Sequence, residues 1–132
     1  MILLNYFTGN TTTQLSVNPQ KSIAVLPFSD LSVDGENEYI CDGITEEIIN
    51  ALAQIEGLKV ISRTSSFFFK NHNASLGEIA RKLGVAILLE GSVQVHDGNI
   101  RVRAKLIDVE EDTHFWSETT HRKIKHLFET QD

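Results

Sequence analysis

Ser22-Ile23-Ala24-Val25-Leu26-Pro27-Phe28 is the stretch whose reading decides the fold of this chain. It is an unbroken apolar run that meets a proline and then gives way to a polar, acidic loop. A run this short and this apolar suits a strand buried on both faces, the mark of a sheet interior with helices packed on it.

The next elements follow from this strand. Residues 29–37 form a loop in which Asp30 and Asp34 precede Gly35. The acids are four apart rather than alternating, and no bidentate Glu follows at calcium-loop distance, so the stretch reads as a plain acidic loop. A helix is expected over about 38–55, because Ile40, Ile44, Ile48, Ala51, Leu52 and Ile55 recur at three- and four-residue steps. Gly43 inside it costs about 1 kcal/mol relative to Ala, and marks either a kink or a later start capped by Asp42. Glu38, Asp42 and Glu46 stack three like charges along one exposed line. That line is either a solvated face compensated by the helix dipole or a site for a basic partner. Gly57 ends the helix, and Leu58-Lys59-Val60-Ile61-Ser62 is the second strand.

Arg63-Thr64-Ser65-Ser66-Phe67-Phe68-Phe69-Lys70 comes next. Three successive Phe residues cannot all point one way on a strand or a helix. Phe67, Phe68 and Phe69 are therefore either a plug over the end of the sheet or a partner-binding patch. Ser65 and Ser66 have no His and acid close in sequence to activate a nucleophile. Ser75, with Glu78 three residues on, begins a helix over 76–83 that Gly84 stops. Val85 to Val95 is the third strand, with Val93 and Val95 inward and Ser92, Gln94 and His96 outward. Asp97-Gly98 is a type I′ hairpin signal. The fourth strand follows, in which Ile100, Val102, Ala104 and Leu106 alternate with Arg101, Arg103 and Lys105. This turn sets Glu90 opposite Lys105 and Gln94 opposite Arg101. After an acidic turn at 109–112, Thr113 to Glu118 form a fifth strand with the only Trp, Trp116. A closing helix is expected from His121 to Asp132, with Ile124, Leu127 and Phe128 at helical spacing, which reads as truncated at the end of the sequence.

The expected fold class is α/β, in the order β-α-β-α-β-β-β. The sheet is mixed, strands one to three are parallel through right-handed crossovers, and both helices lie on one face. Residues 22–132 form this domain and residues 1–21 read as a flexible leader or linker, Thr, Asn, Gly and Ser predominating from Thr8 to Gln20. The apolar opening Met1 to Phe7 is too short to span a membrane and lacks a basic leader. It reads as a docked or frayed end, as the stub of a membrane segment, or, less readily, as a signal remnant.

Composition narrows the function classes. The 132 residues suffice for one domain, and a single cysteine, Cys41, excludes an internal disulfide or a cysteine-rich zinc site. Net charge is −6, yet it is unevenly spread. Only acids occur between Lys21 and Lys59, whereas bases predominate from Lys59 to Lys105. Such a dipolar domain steers basic partners to one side and acidic ones to the other. His72, His96, His114, His121 and His126 show no metal-ligand spacing, and no Walker or dinucleotide glycine pattern appears. Arg101, Arg103 and Lys105 share a strand face that suits cross-strand pairing better than phosphate contact, since exposed aromatics for base stacking are missing apart from Trp116.

Several stretches together resemble one family. They are the 22–28 run, Glu38-Tyr39 with Asp42-Gly43-Ile44-Thr45-Glu46-Glu47, Arg63-Thr64-Ser65-Ser66-Phe67, Leu83-Gly84-Val85, Leu89-Glu90-Gly91-Ser92-Val93, Arg101-Val102-Arg103, Leu106-Ile107-Asp108, Trp116 and Phe128. From residue 22 onward the chain resembles the TolB-like amino-terminal domain family. Val109-Glu110-Glu111-Asp112 departs from the Thr-Gly turn common there, and Cys41 replaces a small or aromatic residue. The resemblance implies a domain of bacterial membrane-anchored or transcriptional regulators with tetratricopeptide repeats, often named adenylate cyclase, and it supplies no catalytic residues.

The expected function is thus a non-catalytic interaction or sensory module of a larger bacterial signalling or transcriptional regulator, with no catalytic, cofactor or metal residues. Its expected partner surface is Glu38, Asp42 and Glu46 with Phe67, Phe68 and Phe69. The partners are protein, either other domains of the same chain or a second copy, and not nucleic acid. A membrane enters only through an upstream segment, with a periplasmic location in that case and a cytoplasmic one otherwise. The alternatives are an accessory domain of a nucleotide cyclase and a sheet-face nucleic-acid or nucleotide binder.

Overall fold

The structure is a computed structural model that describes residues 21–123. Its elements are β1 (Ser22–Val25), β2 (Ser29–Asp30), α1 (Glu38–Ala53), β3 (Lys59–Val60), α2 (Arg63–Phe67), α3 (Leu76–Leu83), β4 (Ile87–His96), β5 (Asn99–Asp108) and β6 (Thr113–Lys123). The sheet runs β3-β1-β4-β5-β6, with β2 also paired to β4. β1 is parallel to both β3 and β4, and β4-β5-β6 form an antiparallel meander.

The apolar run behaves as its composition demands. Ile23, Ala24 and Val25 are fully buried and Leu26 nearly so. Ile23 and Val25 join Ile40, Ile44, Ile48 and Leu52 of α1 in one core. Ala24 and Leu26 face the other way, onto Ile79 and Ala80 of α3 and onto Leu88.

The two long helices therefore cover opposite faces, where a single covered face was expected. The strand order supplies the reason. From β1 the chain crosses to β3 on one side, and from β3 it returns past β1 to β4 on the other. Two right-handed crossovers running in opposite lateral directions must place their helices on opposite faces.

The run also does not continue as one strand to Phe28. Val25 pairs with Leu89 and Ser29 with Ser92, so four steps on this side match three on β4. The extra residue makes a bulge at Pro27, which has no N–H to offer the ladder. The Phe28 N–H is instead donated to Thr45 Oγ1 at 2.9 Å, and that hydroxyl donates to the Cys41 carbonyl at 2.8 Å. Val25 and Phe28, three apart, thereby both reach the α1 core.

In the meander, Asp97 and Gly98 have positive φ of 48° and 76°, and the register sets Glu90 opposite Lys105 and Gln94 opposite Arg101, as the turn signal requires. α3 has the expected capping box of Ser75 and Glu78 and ends on Gly84 in the left-handed region.

Three local expectations are corrected. The second strand shrinks to Lys59–Val60, and Ser62 caps a short helix, α2, its side chain accepting from the Ser65 N–H. β6 does not stop at Glu118, because His121, Arg122 and Lys123 pair with Arg101, Ile100 and Asn99. A helix starting at His121 would have left that end of β5 unpaired. The rest of the expected closing helix, and the leader over 1–20, lie outside the described residues.

Candidate functional site

The crevice beyond the carboxyl ends of parallel strands is where open α/β sheets tend to bind. Here it is a cavity of about 390 Å³ between the β1–β2 bulge, the start of α1, and the segment joining α2 to α3. Pro27, Asp30, Glu38, Cys41, Phe69 and Lys70 are among its lining residues.

Asp30 organises one wall. Its carboxylate accepts from the Ser32 N–H at 2.9 Å and the Asn37 N–H at 2.8 Å. Burial pushes its pKa up, but hydrogen bonding from the Ser32 side chain, and then from the Asn37 and Ser32 N–H groups, outweighs that and leaves the carboxyl below its ordinary value. The helix begins at Glu38 with no side-chain cap on Asn37, so Asp42 lies inside it rather than capping a later start. The Cys41 thiol, buried under this wall, is pushed up to about 12, by burial and then by the charges of Asp30 and Asp42. It is held as a thiol and is no nucleophile at neutral pH.

The acidic line of α1 and the Phe cluster, read separately from the sequence, lie side by side. Lys70 Nζ binds both oxygens of Asp42, at 2.9 and 2.7 Å, and also pairs with Glu38. Arg63 Nε lies 3.1 Å from Glu46. Each acid of the line is thus paired from the α2 segment. Lys70 feels burial, which lowers its pKa, yet Asp42 and Glu38 outweigh it and the net shift is upward. The Arg63–Glu46 pair is half exposed and is worth ~0–1 kcal/mol. The Lys70 link, part-buried, is the firmer of the two.

The three Phe side chains take three directions. Phe67 lies beneath Arg63, whose Cζ is 4.2 Å from the ring centroid, with Lys70 Nζ at 5.7 Å. Phe69 turns inward onto the α3 core. Phe68 remains 63% exposed, stacked on His72 with centroids 5.3 Å apart and edge-on to Phe69 at 5.2 Å. The result is an exposed aromatic platform beside an ion-paired rim of three acids and two cations.

Sequence reasoning missed the cations of this rim. The only local signal was Ser62 at a cap position before Arg63. Nothing in the spacing tied Lys70 to Asp42, 28 residues earlier. Among the described residues no group of three or more His, Cys, Asp or Glu side chains is placed to hold a metal ion. No described helix is long and apolar enough to cross a membrane.

Residues 19–131 match the model of a family described as HilA/YgeH-like transcriptional regulator, second domain. A Rhizobium meliloti (strain 1021) protein named "Putative adenylate cyclase 3" is 44% identical over 119 residues, covering 90% of this chain; the chain spans only 20% of that protein's length. Among solved structures, the LpoB C-terminal domain of Salmonella enterica superposes with a TM-score of 0.63 at 18% identity, covering 90% of this chain and 97% of that one. Lipoprotein GNA1162 of Neisseria meningitidis gives 0.62 at 18% identity, over 77% of this chain and 79% of its own. At these identities the likeness is one of fold, and the fold is the mixed α/β sheet expected.

Proposed function

This chain belongs to the HilA/YgeH-like transcriptional regulator family as a second domain, and from that premise we propose that it is a non-catalytic interaction module of a larger regulator. It works through protein contacts made at the α1–α2 surface. The observation that carries this reading is Phe68, a large aromatic left exposed on a segment that ion pairs tie to α1. Aromatic anchors with a polar rim are the residues that dominate protein interfaces. The likeness to TolB-like amino-terminal domains belongs to the same proposal. So does the location, periplasmic where a membrane helix precedes the domain in the full chain and cytoplasmic otherwise.

Phe68→Ala is expected to weaken association with a neighbouring domain, or with a second copy, by on the order of tenfold or more. The melting curve should hardly move, because the side chain is mostly in water. Analytical ultracentrifugation with a parallel thermal melt separates the two effects. Unchanged association would remove Phe68 from the interface, and unfolding would make it core. Asp42 is a poorer probe than Phe68, since its charge reversal sets Lys70 against a second cation.

A second reading, accessory domain of a nucleotide cyclase, rests on the name of the Rhizobium meliloti relative. On the proposed reading the purified domain turns over no nucleoside triphosphate. Turnover that a single point substitution abolishes would favour a catalytic role instead.

A further inference from the structure

The two outer strands of the sheet are built differently. β3 is two residues long, whereas β6 runs for 11 residues and has no strand beyond it among the described residues. An outer strand holds out a row of unpaired N–H and C=O groups, a template for another strand. The first part of β6 is ill suited to that use. Trp116 pairs with Leu106 and His114 with Ile107, so Phe115 is an extra residue in a bulge. Residues 117–123 are regular, pair in unbroken register with β5 from Lys105 to Asn99, and contain no proline.

The side chains of this regular part form a pattern that a second copy of the strand completes. Glu118, Thr120 and Arg122 lie opposite Ala104, Val102 and Ile100, and all three line the groove beside α1. Their neighbours on β5 are thus apolar and offer neither charge a partner. Glu118 Oε1 is buried with no hydrogen-bond partner among the described residues. Arg122 is exposed and four residues on, about 14 Å along an extended strand, too far to meet it. An antiparallel copy of β6 centred on Thr120 removes that distance. Glu118 then stands opposite Arg122 of the second copy, twice by symmetry, with Thr120 opposite Thr120. On the other face Thr119 meets His121 and Ser117 meets Lys123, so no like charges are opposed. Centring the pair on Glu118 would set two carboxylates together, and centring it on Thr119 would leave Glu118 facing Thr120.

We propose that β6 pairs edge to edge with β6 of a second copy in this register, giving one continuous sheet across a two-fold axis at Thr120. The contact uses no residue of the α1–α2 surface.

Sedimentation of the full chain tests this. The wild-type chain should show a concentration-dependent equilibrium between monomer and dimer. Glu118→Arg and Arg122→Glu should each weaken it by about tenfold or more, because each opposes like charges at two places. The double exchange restores both pairs and should return the dimer to within about threefold of wild type. A wild-type chain that stays monomeric up to about 1 mM would overturn the inference and make Glu118 a charge that guards the edge. A double exchange that dimerises no better than the single variants would overturn it too. Thr120→Cys gives a second readout with both charges in place and Cys41 fully buried. Mild oxidation should join copies through position 120. Ser117→Cys, about 20 Å from its symmetry mate in this register, should not be trapped. Equal trapping at both positions, or none at 120, would overturn the inference. Adding Phe68→Ala should leave the crosslink at 120 unchanged, and its loss there would move the contact to the α1–α2 surface.

Discussion

Replacing Leu88 by alanine is expected to remove about 2–5 kcal/mol of folding stability, and to lie in the upper half of that range. Leu88 is fully buried near the start of β4, the middle strand of the sheet, between Ala24 of β1 and Ile107 of β5. Its side chain belongs to the smaller core, under α3, with Ala24, Leu26, Ile79, Ala80 and Val85. Two of those neighbours are alanines with no side chain to move into a void. α3 is only eight residues long and is fixed at both ends, by its capping box and by Gly84. The cavity therefore stays open, and an open cavity is what carries a Leu→Ala change to the top of its range. Leu26→Ala should cost less, because Leu26 lines the crevice and its surroundings can relax. Against a typical total stability of about 5–15 kcal/mol, the Leu88 change alone leaves the domain marginal. Urea unfolding should show a lower midpoint at an unchanged slope. A loss of only a few tenths of a kcal/mol would mean that α3 closes down on the gap.

The same contrast between local and distant causes explains what the sequence disclosed. The hairpin register was legible because Asp97-Gly98 is a two-residue signal that fixes ten pairs at once. The α3 boundaries were legible because Ser75, Glu78 and Gly84 act within a turn or two. The buried strand was legible from composition alone. The bulge at Pro27 was not, since it depends on how β4 counts against β1. The faces of α1 and α3 were not, since they follow from β3 and β4 lying on opposite sides of β1. At the site, the acidic line and the Phe cluster were each visible as patterns, but their joining was hidden. α2 has five residues, too few for periodicity to register. Lys70 and Arg63 reach their acids only after the β3 crossover folds that segment against α1. The site is in this sense a tertiary object assembled from readable pieces.

Gly91→Ala is the substitution expected to disturb the fold most for the fewest atoms added. Gly91 lies in β4 opposite Ala104, on the side of the sheet that faces α1, and its own φ is not positive. Its constraint is space. A Cβ there would stand 2.2 Å from the Arg103 carbonyl oxygen and 2.4 Å from Phe28 Cε2. Neither neighbour is the loose end of a flexible chain. The carbonyl is part of the β5 backbone, and the Phe28 ring is 3% exposed, with its own N–H held by Thr45. Overpacking of this kind costs about 1–3 kcal/mol and sometimes more. The gain from restricting the unfolded chain, about 0.4–1 kcal/mol, offsets only part of it. A fall in Tm of roughly 10 °C is expected for a domain of this size. The cause can be isolated with Phe28→Ala, which is costly alone but removes the ring that the new methyl meets. The double variant should lose less than the sum of the two single losses, by about 0.5–3 kcal/mol of coupling. Additive losses, or a neutral Gly91→Ala, would show that the ring does not rest on this glycine. The point reaches the site as well, because Phe28 also lines the crevice beside Asp30 and Lys70. A methyl at position 91 that lifts the ring should therefore alter the crevice wall, without touching a residue of the α1–α2 surface.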